Sequence, residues 1–414
     1  MTGDKRKIAI IGCGRIGAPM LSWMHNLDIP WNIIGVERDR TLINKIRAGE
    51  LGWFEDGLDE QLKQNPVYIV HEDDRGRGFW DTVDLAIICL GSPVNEYGEP
   101  QVDAIRILCS KIPRHVNIVL RSTVPVGFSR ELSILLDRPI YFAPERILTG
   151  SALSELDKLP QVLGVGQHQL TLNDATIMDI FEEIFPTVHV SSLEEAELSK
   201  IGNNIMRYIE FTAGTQFAEA CEYYGVNWSN VQKLMTAGYD RGRMCFPSFT
   251  SSYCLNKDYM MLHRDVQPSL SLASANYNQL YFLETLWHRA LSLSDHAYIA
   301  VGILGWTYRP ESDDDRDTIV EYLGEYLKDS GNVRHVTYFD PVKNPSEEEF
   351  QARTGFGKHA WQGSSARAVI DSSDIIWIAT AHPEFESLNI PPGKIVIDPS
   401  GKINGNDRFV RWYD

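Results

Sequence analysis

The sequence predicts an α/β protein, with two doubly wound domains joined by a long central helix and a small all-α domain. Three observations carry that prediction. A β-branched run from Lys7 to Ile11 passes through a glycine-rich turn directly into a helical pattern. From Ser192 to Gly225 a helical pattern continues without a proline, and from Ala297 onward strand and helix patterns alternate again, as a second parallel sheet requires. At 414 residues the chain exceeds one ordinary core. The expected boundaries are 1–189, 190–290 and 291–414.

In the first domain, the turn reads Gly12-Cys13-Gly14-Arg15-Ile16-Gly17. A strand, this G-x-G-x-x-G turn and a helix together make a Rossmann-like dinucleotide site: two glycines admit a pyrophosphate to the backbone, the third packs helix on strand, and the helix N-terminus faces the phosphates. Gly12, Gly14, Arg15, Ile16 and Gly17 are therefore expected at the cofactor. The second strand, Trp31 to Val36, ends at Glu37, twenty residues beyond Gly17. A carboxylate there accepts a ribose 2′-hydroxyl and repels a 2′-phosphate, so NAD is the expected cofactor rather than NADP. The later runs Leu85 to Leu90, Asn117 to Leu120 and Ile140 to Ala143 stop in Gly91-Ser92-Pro93, Ser122-Thr123-Val124-Pro125 and Pro144-Glu145-Arg146. Those residues belong at the carboxyl edge of the sheet, where ligands bind. Ser92 and Thr123 could equally be helix caps.

Ser192 and Glu195 form a capping-box pattern that opens the central helix, and Gly225 fits its stop. Such a helix is about 45 Å long, the length of an element between domains or at a subunit interface. Lys200 and Asn204 share one of its faces. Cys254 follows in a run of small and polar residues, with Lys257 and Asp258 just after it, and a nearby ammonium favours the thiolate of a nucleophile. Taken alone, Cys254 is also a plain half-buried cysteine, and Lys200 with Asn204 a solvated pair.

The last third holds strands Ala297 to Leu304, Val333 to Phe339, Ile375 to Thr380 and Ile395 to Ile397, with a helix Thr318 to Lys328. It carries no G-x-G-x-x-G. This second Rossmann-like unit is expected to bind something other than NAD, or only a base and phosphates.

Composition narrows the function classes. With 43% hydrophobic and 23% charged residues the chain is soluble and globular. No apolar run approaches the roughly 20 residues that cross a bilayer, and no signal-peptide core follows the N-terminus, so a cytoplasmic protein without a membrane partner is expected. A net charge of −17 argues against nucleic acid and requires local basic groups around any anionic substrate. Six cysteines without metal-ligand spacing predict neither structural zinc nor disulfides.

The motifs S-T-V-P-V-G (122–127), A-P-E-R (143–146), A-E-L-S-K-I-G-N-N (196–204), Y-C-L-N-K-D (253–258), R-P-E-S-D-D-D-R (309–316) and D-P (340–341) occur in this order. On them, together with the cofactor turn, the chain resembles the nucleotide-sugar 6-dehydrogenases, the group that acts on UDP-glucose, GDP-mannose and UDP-N-acetylhexosamines. The resemblance runs from about residue 7 to about residue 400. It implies oxidation of a C6 alcohol to a carboxylate with two NAD per turnover, through a cysteine thiohemiacetal and thioester. It implies an NAD-binding domain at 1–189, a dimerisation domain carrying the cysteine at 190–290 and a nucleotide-sugar domain at 291–414, in a homodimer or larger homo-oligomer built on the central helix.

By position, Cys254 matches the nucleophile and Lys200 the lysine that stabilises the oxyanions. Asn204 and Asp258 match groups that hold that lysine and the hydrolytic water, and Thr123 and Glu145 also order water, Glu145 being the better general base. Ser92, Thr123 and Arg316 are expected at NAD. Glu145, Arg146, Lys200, Asn204, Lys257, Arg309, Phe249 and Tyr253 are expected at the substrate, with Arg309 standing where the family has a lysine. Pro247 to Tyr253 lacks the family's glycines. Pro144 to Gly150 is similar to the N-acetylhexosamine branch, whereas Cys254 to Asp258 is similar to the UDP-glucose and GDP-mannose branch. UDP-glucose is favoured. A silent relative kept for binding or assembly, and a two-electron alcohol dehydrogenase, are the competing classes.

Overall fold

The computed structural model describes residues 6–95, 97–166, 172–239, 253–263, 271–403 and 408–410. The chain divides into two compact units, one made of residues 1–204 with 257–266 and the other of 205–256 with 267–414.

The first unit is built on eight strands: β1 (Lys7–Ile11), β2 (Asn32–Glu37), β3 (Ile69–His71), β4 (Leu85–Ile88), β5 (Asn117–Leu120), β6 (Tyr141–Phe142), β7 (Gln161–Val165) and β8 (Val188–Ser192). Their order in the sheet is β3-β2-β1-β4-β5-β6-β7-β8, parallel except where β7 meets β6. The apolar runs are continuous because both faces of the sheet are covered. Successive side chains alternate between faces, so Ile8 and Ile10 enter one core with Leu85 and Ile87, while Ala9 and Ile11 enter the other with Ala86 and Ile88. Strand order reverses between β1 and β4, which opens a crevice at their carboxyl ends.

The second unit has six strands: β9 (Ile299–Leu304), β10 (Val333–Phe339), β11 (Ala360–Gln362), β12 (Ile375–Ile378), β13 (Ile395–Ile397) and β14 (Phe409–Val410). All are parallel, in the order β11-β10-β9-β12-β13-β14. The same alternation sends Ile375 and Trp377 to one core and Ile376 and Ile378 to the other. Phe282, Leu283, Leu286, Trp287 and Ala290 of the helix Ser271–Ser292 pack into the first of these cores, as their three- and four-residue spacing dictates. Thr318 caps the helix Ile319–Asp329 by accepting from the N–H of Val320, one residue later than the expected start.

The long helix is Leu193–Tyr223, and its 31 residues span about 46 Å. Its capping box is reciprocal: the N–H of Ser192 donates to Glu195 at 2.9 Å, and the N–H of Glu195 donates to the Ser192 hydroxyl at 3.3 Å. It stops at Gly225, with φ of +63°, where the N–H of Val226 reaches back to the Cys221 carbonyl at 2.9 Å. The division between the units falls within this helix and within the helix Tyr253–His263.

Candidate active site

The turn after β1 has the geometry a dinucleotide needs. Gly12 holds φ of +88°, and its N–H donates to the Val36 carbonyl at 2.9 Å. A Cβ at Gly17 would lie 1.9 Å from the Gly12 carbonyl oxygen, so only glycine lets the helix Gly17–His25 sit this close to the turn. Around Gly14, by contrast, a Cβ would meet nothing within 4 Å. That side of the turn is open enough to admit a pyrophosphate. Glu37 is fixed at the end of β2: one oxygen accepts from the N–H groups of Arg38 and Asp39 at 2.8 and 3.0 Å, and the other from Cys13 at 2.8 Å. Each carboxylate oxygen has two acceptor positions, so one remains for a hydroxyl donor. The residues present fit NAD.

The loops after β4 and β5 are tied together by the Ser92 hydroxyl, which donates to the Thr123 carbonyl. Ser92 is thus a brace between loops and not a helix cap. Thr123 is half-buried beside it. Glu145, after β6, accepts from Arg121 Nε at 2.7 Å and from the N–H groups of Arg146 and Ile147 at 2.8 and 2.9 Å. Arg121 is only 3% exposed and also donates to Gln161 at 2.9 Å. The Arg146 guanidinium donates to the Pro160 carbonyl, within its own loop.

Glu197, Lys200 and Asn204 are spaced i, i+3 and i+7 on the long helix and share a face. Asn204 Nδ2 donates to one oxygen of Asp258 at 2.5 Å, while Lys257 Nζ meets the other at 2.5 Å. Asp258 is 1% exposed and Lys257 6%. The lysine held by Asp258 is therefore Lys257, its neighbour in sequence. Lys200 is half-buried, one helical turn before Asn204.

In the second unit, Cys254 is exposed on the first turn of the helix Tyr253–His263. Lys257, three residues further on, is paired with Asp258. Arg316 is a cation that interacts electrostatically with Cys254. Its guanidinium pairs with Asp314 at 2.7 and 2.8 Å and lies over the Tyr253 ring at 4.2 Å from the centroid. Burial alone would lower the pKa of Arg316, but Asp314 and the charges of Cys254 and Tyr253 outweigh it and hold the guanidinium charged. Arg309 is half-buried, and among the described residues its Nε has no hydrogen-bond partner. That leaves an anion-binding group in a strongly acidic chain.

After β10, Asp340 is saturated. It accepts from the N–H groups of Trp306 (2.6 Å), Val342 (2.8 Å) and Lys343 (2.9 Å) and from His382 Nε2 (3.0 Å). A dinucleotide ribose finds no acceptor there, which agrees with the missing glycine motif. Phe249 lies outside the described residues, as does the rest of 247–252. A cavity of ≈ 680 Å³ lined by Lys7, His25, Asn32, Tyr68 and Phe79 opens at the amino ends of β1 and β2, the edge opposite the site.

Arg121, Gln161 and Glu197 escaped the sequence reading. For Arg121 the signal was present: a charge directly after the buried run Asn117–Leu120 needs a partner. For Glu197 it was the helical spacing to Lys200 and Asn204.

Two family models match this chain: the NAD binding domain of the UDP-glucose/GDP-mannose dehydrogenase family over residues 6–185, and the UDP binding domain of the same family over residues 302–404. The chain belongs to this family. It is thereby an NAD-dependent enzyme of the UDP-sugar dehydrogenases, with a second, UDP binding domain. Similar relatives include a UDP-N-acetyl-D-mannosamine dehydrogenase of Pyrococcus horikoshii, 24% identical over 92% of this chain and 91% of that one. A UDP-glucose 6-dehydrogenase of Bacillus subtilis is 22% identical over 98% and 90%. Among solved structures, the UDP-D-ManNAc dehydrogenase of Pyrococcus horikoshii superposes with a TM-score of 0.81 at 22% identity, covering 98% of both chains. The two parallel sheets with helices between them in sequence are thus the fold expected. Among the described residues no helix is long and apolar enough to cross a membrane.

Proposed function

We propose that this protein oxidises the C6 primary alcohol of a UDP-hexose, with UDP-glucose favoured, to the uronate by two successive oxidations on one enzyme. The observation that carries this reading is the set of groups on two helices: Asp258 bridging Asn204 and Lys257, Lys200 one turn from Asn204, and Cys254 four residues before Asp258 on the same helix. NAD, when bound at the first sheet, supplies the electron acceptor for both oxidations. The Cys254 thiolate adds to the C6 aldehyde to give a thiohemiacetal, and after the second oxidation it is held as a thioester until water releases the carboxylate. Lys200 stabilises the oxyanion of each tetrahedral species. Asp258 and Asn204, with Thr123, order the attacking water. Glu145, held by Arg121, is the general base toward that water. Arg316 supports the thiolate, and Arg309, Lys257 and Tyr253 contact the nucleotide sugar.

Domain limits of 1–189, 190–290 and 291–414 follow from this reading. So does a cytoplasmic homodimer through the long helix, whose Met206 and Phe217 are exposed along one stripe. Sedimentation velocity would return a monomer if the dimer is wrong. UDP-N-acetylhexosamine is the second substrate reading, favoured by the segment Pro144 to Gly150. The deciding experiment is incubation with NAD and a panel of UDP- and GDP-sugars, counting NADH formed per sugar consumed. Two supports the proposal, one indicates a simple alcohol dehydrogenase and none a silent relative. Cys254→Ala should abolish uronate formation, and an unchanged rate would remove the cysteine from the reaction.

A further inference from the structure

Glu197 is fully buried, yet it lies on the long helix one turn before Lys200. Its carboxylate reaches across to the loop after β5: one oxygen accepts from the N–H of Gly127 at 2.6 Å and the other from the N–H of Ser129 at 2.8 Å. Those donors open the helix Phe128–Leu136, whose own N-cap is Gly127 at φ of +90° and supplies no side-chain cap. A carboxylate from a residue nearly seventy positions away in sequence therefore satisfies two orphan N–H groups and faces the positive end of that helix. Thr123 lies in the loop on one side of this clamp, and Lys200 and Asn204 on the helix face on the other.

We infer that Glu197 is a positioning residue that fixes the S-T-V-P-V-G loop against the face of the long helix, setting Thr123 relative to Lys200 and Asn204. This rests on the reading that those three groups act on the C6 intermediates. The two-point grip is specific to a carboxylate. An amide offers one acceptor and turns its NH2 toward the second donor, so the loop must shift away. A displacement of about 1 Å at such a site lowers turnover by about 100-fold.

The test compares the parent, Glu197→Gln, Glu197→Asp and Lys200→Ala in steady-state NADH formation with NAD and the best sugar of the panel, rates being normalised to NAD-binding sites. Glu197→Gln is expected to lower kcat by about 100-fold while KM for NAD stays within about twofold. Glu197→Asp, which keeps the charge but is one methylene short, should fall between the two, and it decides the outcome alone if the amide variant does not fold. A kcat within about threefold of the parent, with only a lowered melting temperature, would show a purely structural cap and overturn the inference. Hydrogen exchange gives a readout that needs no turnover: the Gly127 and Ser129 amides should exchange about tenfold faster in Glu197→Gln but not in Lys200→Ala. Unchanged exchange also overturns the clamp. A parent that forms no NADH, or a Lys200→Ala variant as active as the parent, counts against the proposed chemistry, while faster exchange at 127–129 still upholds the clamp.

Discussion

Arg121 and Glu145 decide what the loop after β6 can do. Both are buried, and each is the other's principal counter-charge, so removing one strands the other in a medium that cannot solvate it. Arg121→Met is expected to destabilise the first unit by about 3–5 kcal/mol, read as a lowered urea midpoint. A change in unfolding free energy under about 1 kcal/mol would mean that the backbone donors of Arg146 and Ile147 suffice for Glu145. At this scale the sequence was legible wherever a residue type has few alternatives, as with the glycines of the turn and Glu37 at the strand end. It was not legible where a charge is satisfied over a long sequence separation. The pairs Arg121 with Glu145, and Glu197 with Gly127 and Ser129, depend on which loops meet. The pairing of Lys257 with Asp258, by contrast, joins neighbours in sequence, and it was overlooked although both residues stood side by side in the motif.

Among the elements, the turn between β1 and the helix Gly17–His25 gives the cleanest separation of folding from binding. A methyl group at Gly14 meets open space, whereas one at Gly17 collides with the Gly12 carbonyl oxygen. Gly14→Ala should therefore fold with a melting temperature near the parent's and lose NAD affinity by tenfold or more, about 1.4 kcal/mol. Gly17→Ala should lose both. Fluorescence titration with NAD beside a thermal melt checks the pair, and equal NAD affinity in Gly14→Ala would mean that the cofactor does not approach this side. The strands Asn117–Leu120, Val333–Phe339 and Ile395–Ile397 occur within the expected limits, because runs buried on both faces leave no other assignment. β3, β7, β8, β11 and β14 were not read from sequence. They are short or lie away from the central strands, where apolar patterning is weakest.

At the scale of the whole molecule, the acid limit of stability has an identifiable contributor. Asp315 is buried, which alone would raise its carboxyl, but Lys343, Trp306 Nε1 and Arg353 hold it down at about 2. A carboxyl lowered by folding contributes stability that is complete above its unfolded value near 3.9 and is lost as pH falls through about 2, here about 2 kcal/mol. Asp315→Asn should be less stable than the parent at pH 7, and the difference should close between pH 4 and pH 2. A constant difference across that range would assign the loss to packing instead.

The strand order shared by the two sheets extends to single atoms. Gly12 and Gly305 have φ of +88° and +96°, and each donates its N–H to the neighbouring strand, to Val36 and to Phe339, at 2.9 Å. The next N–H in each half, Cys13 or Trp306, meets an acid at the end of the second strand, Glu37 or Asp340. In the first half the acid keeps an acceptor position open, and in the second the imidazole of His382 fills it. The same turn thus receives a hydroxyl donor at the carboxyl edge of one sheet and has no room for it at the other.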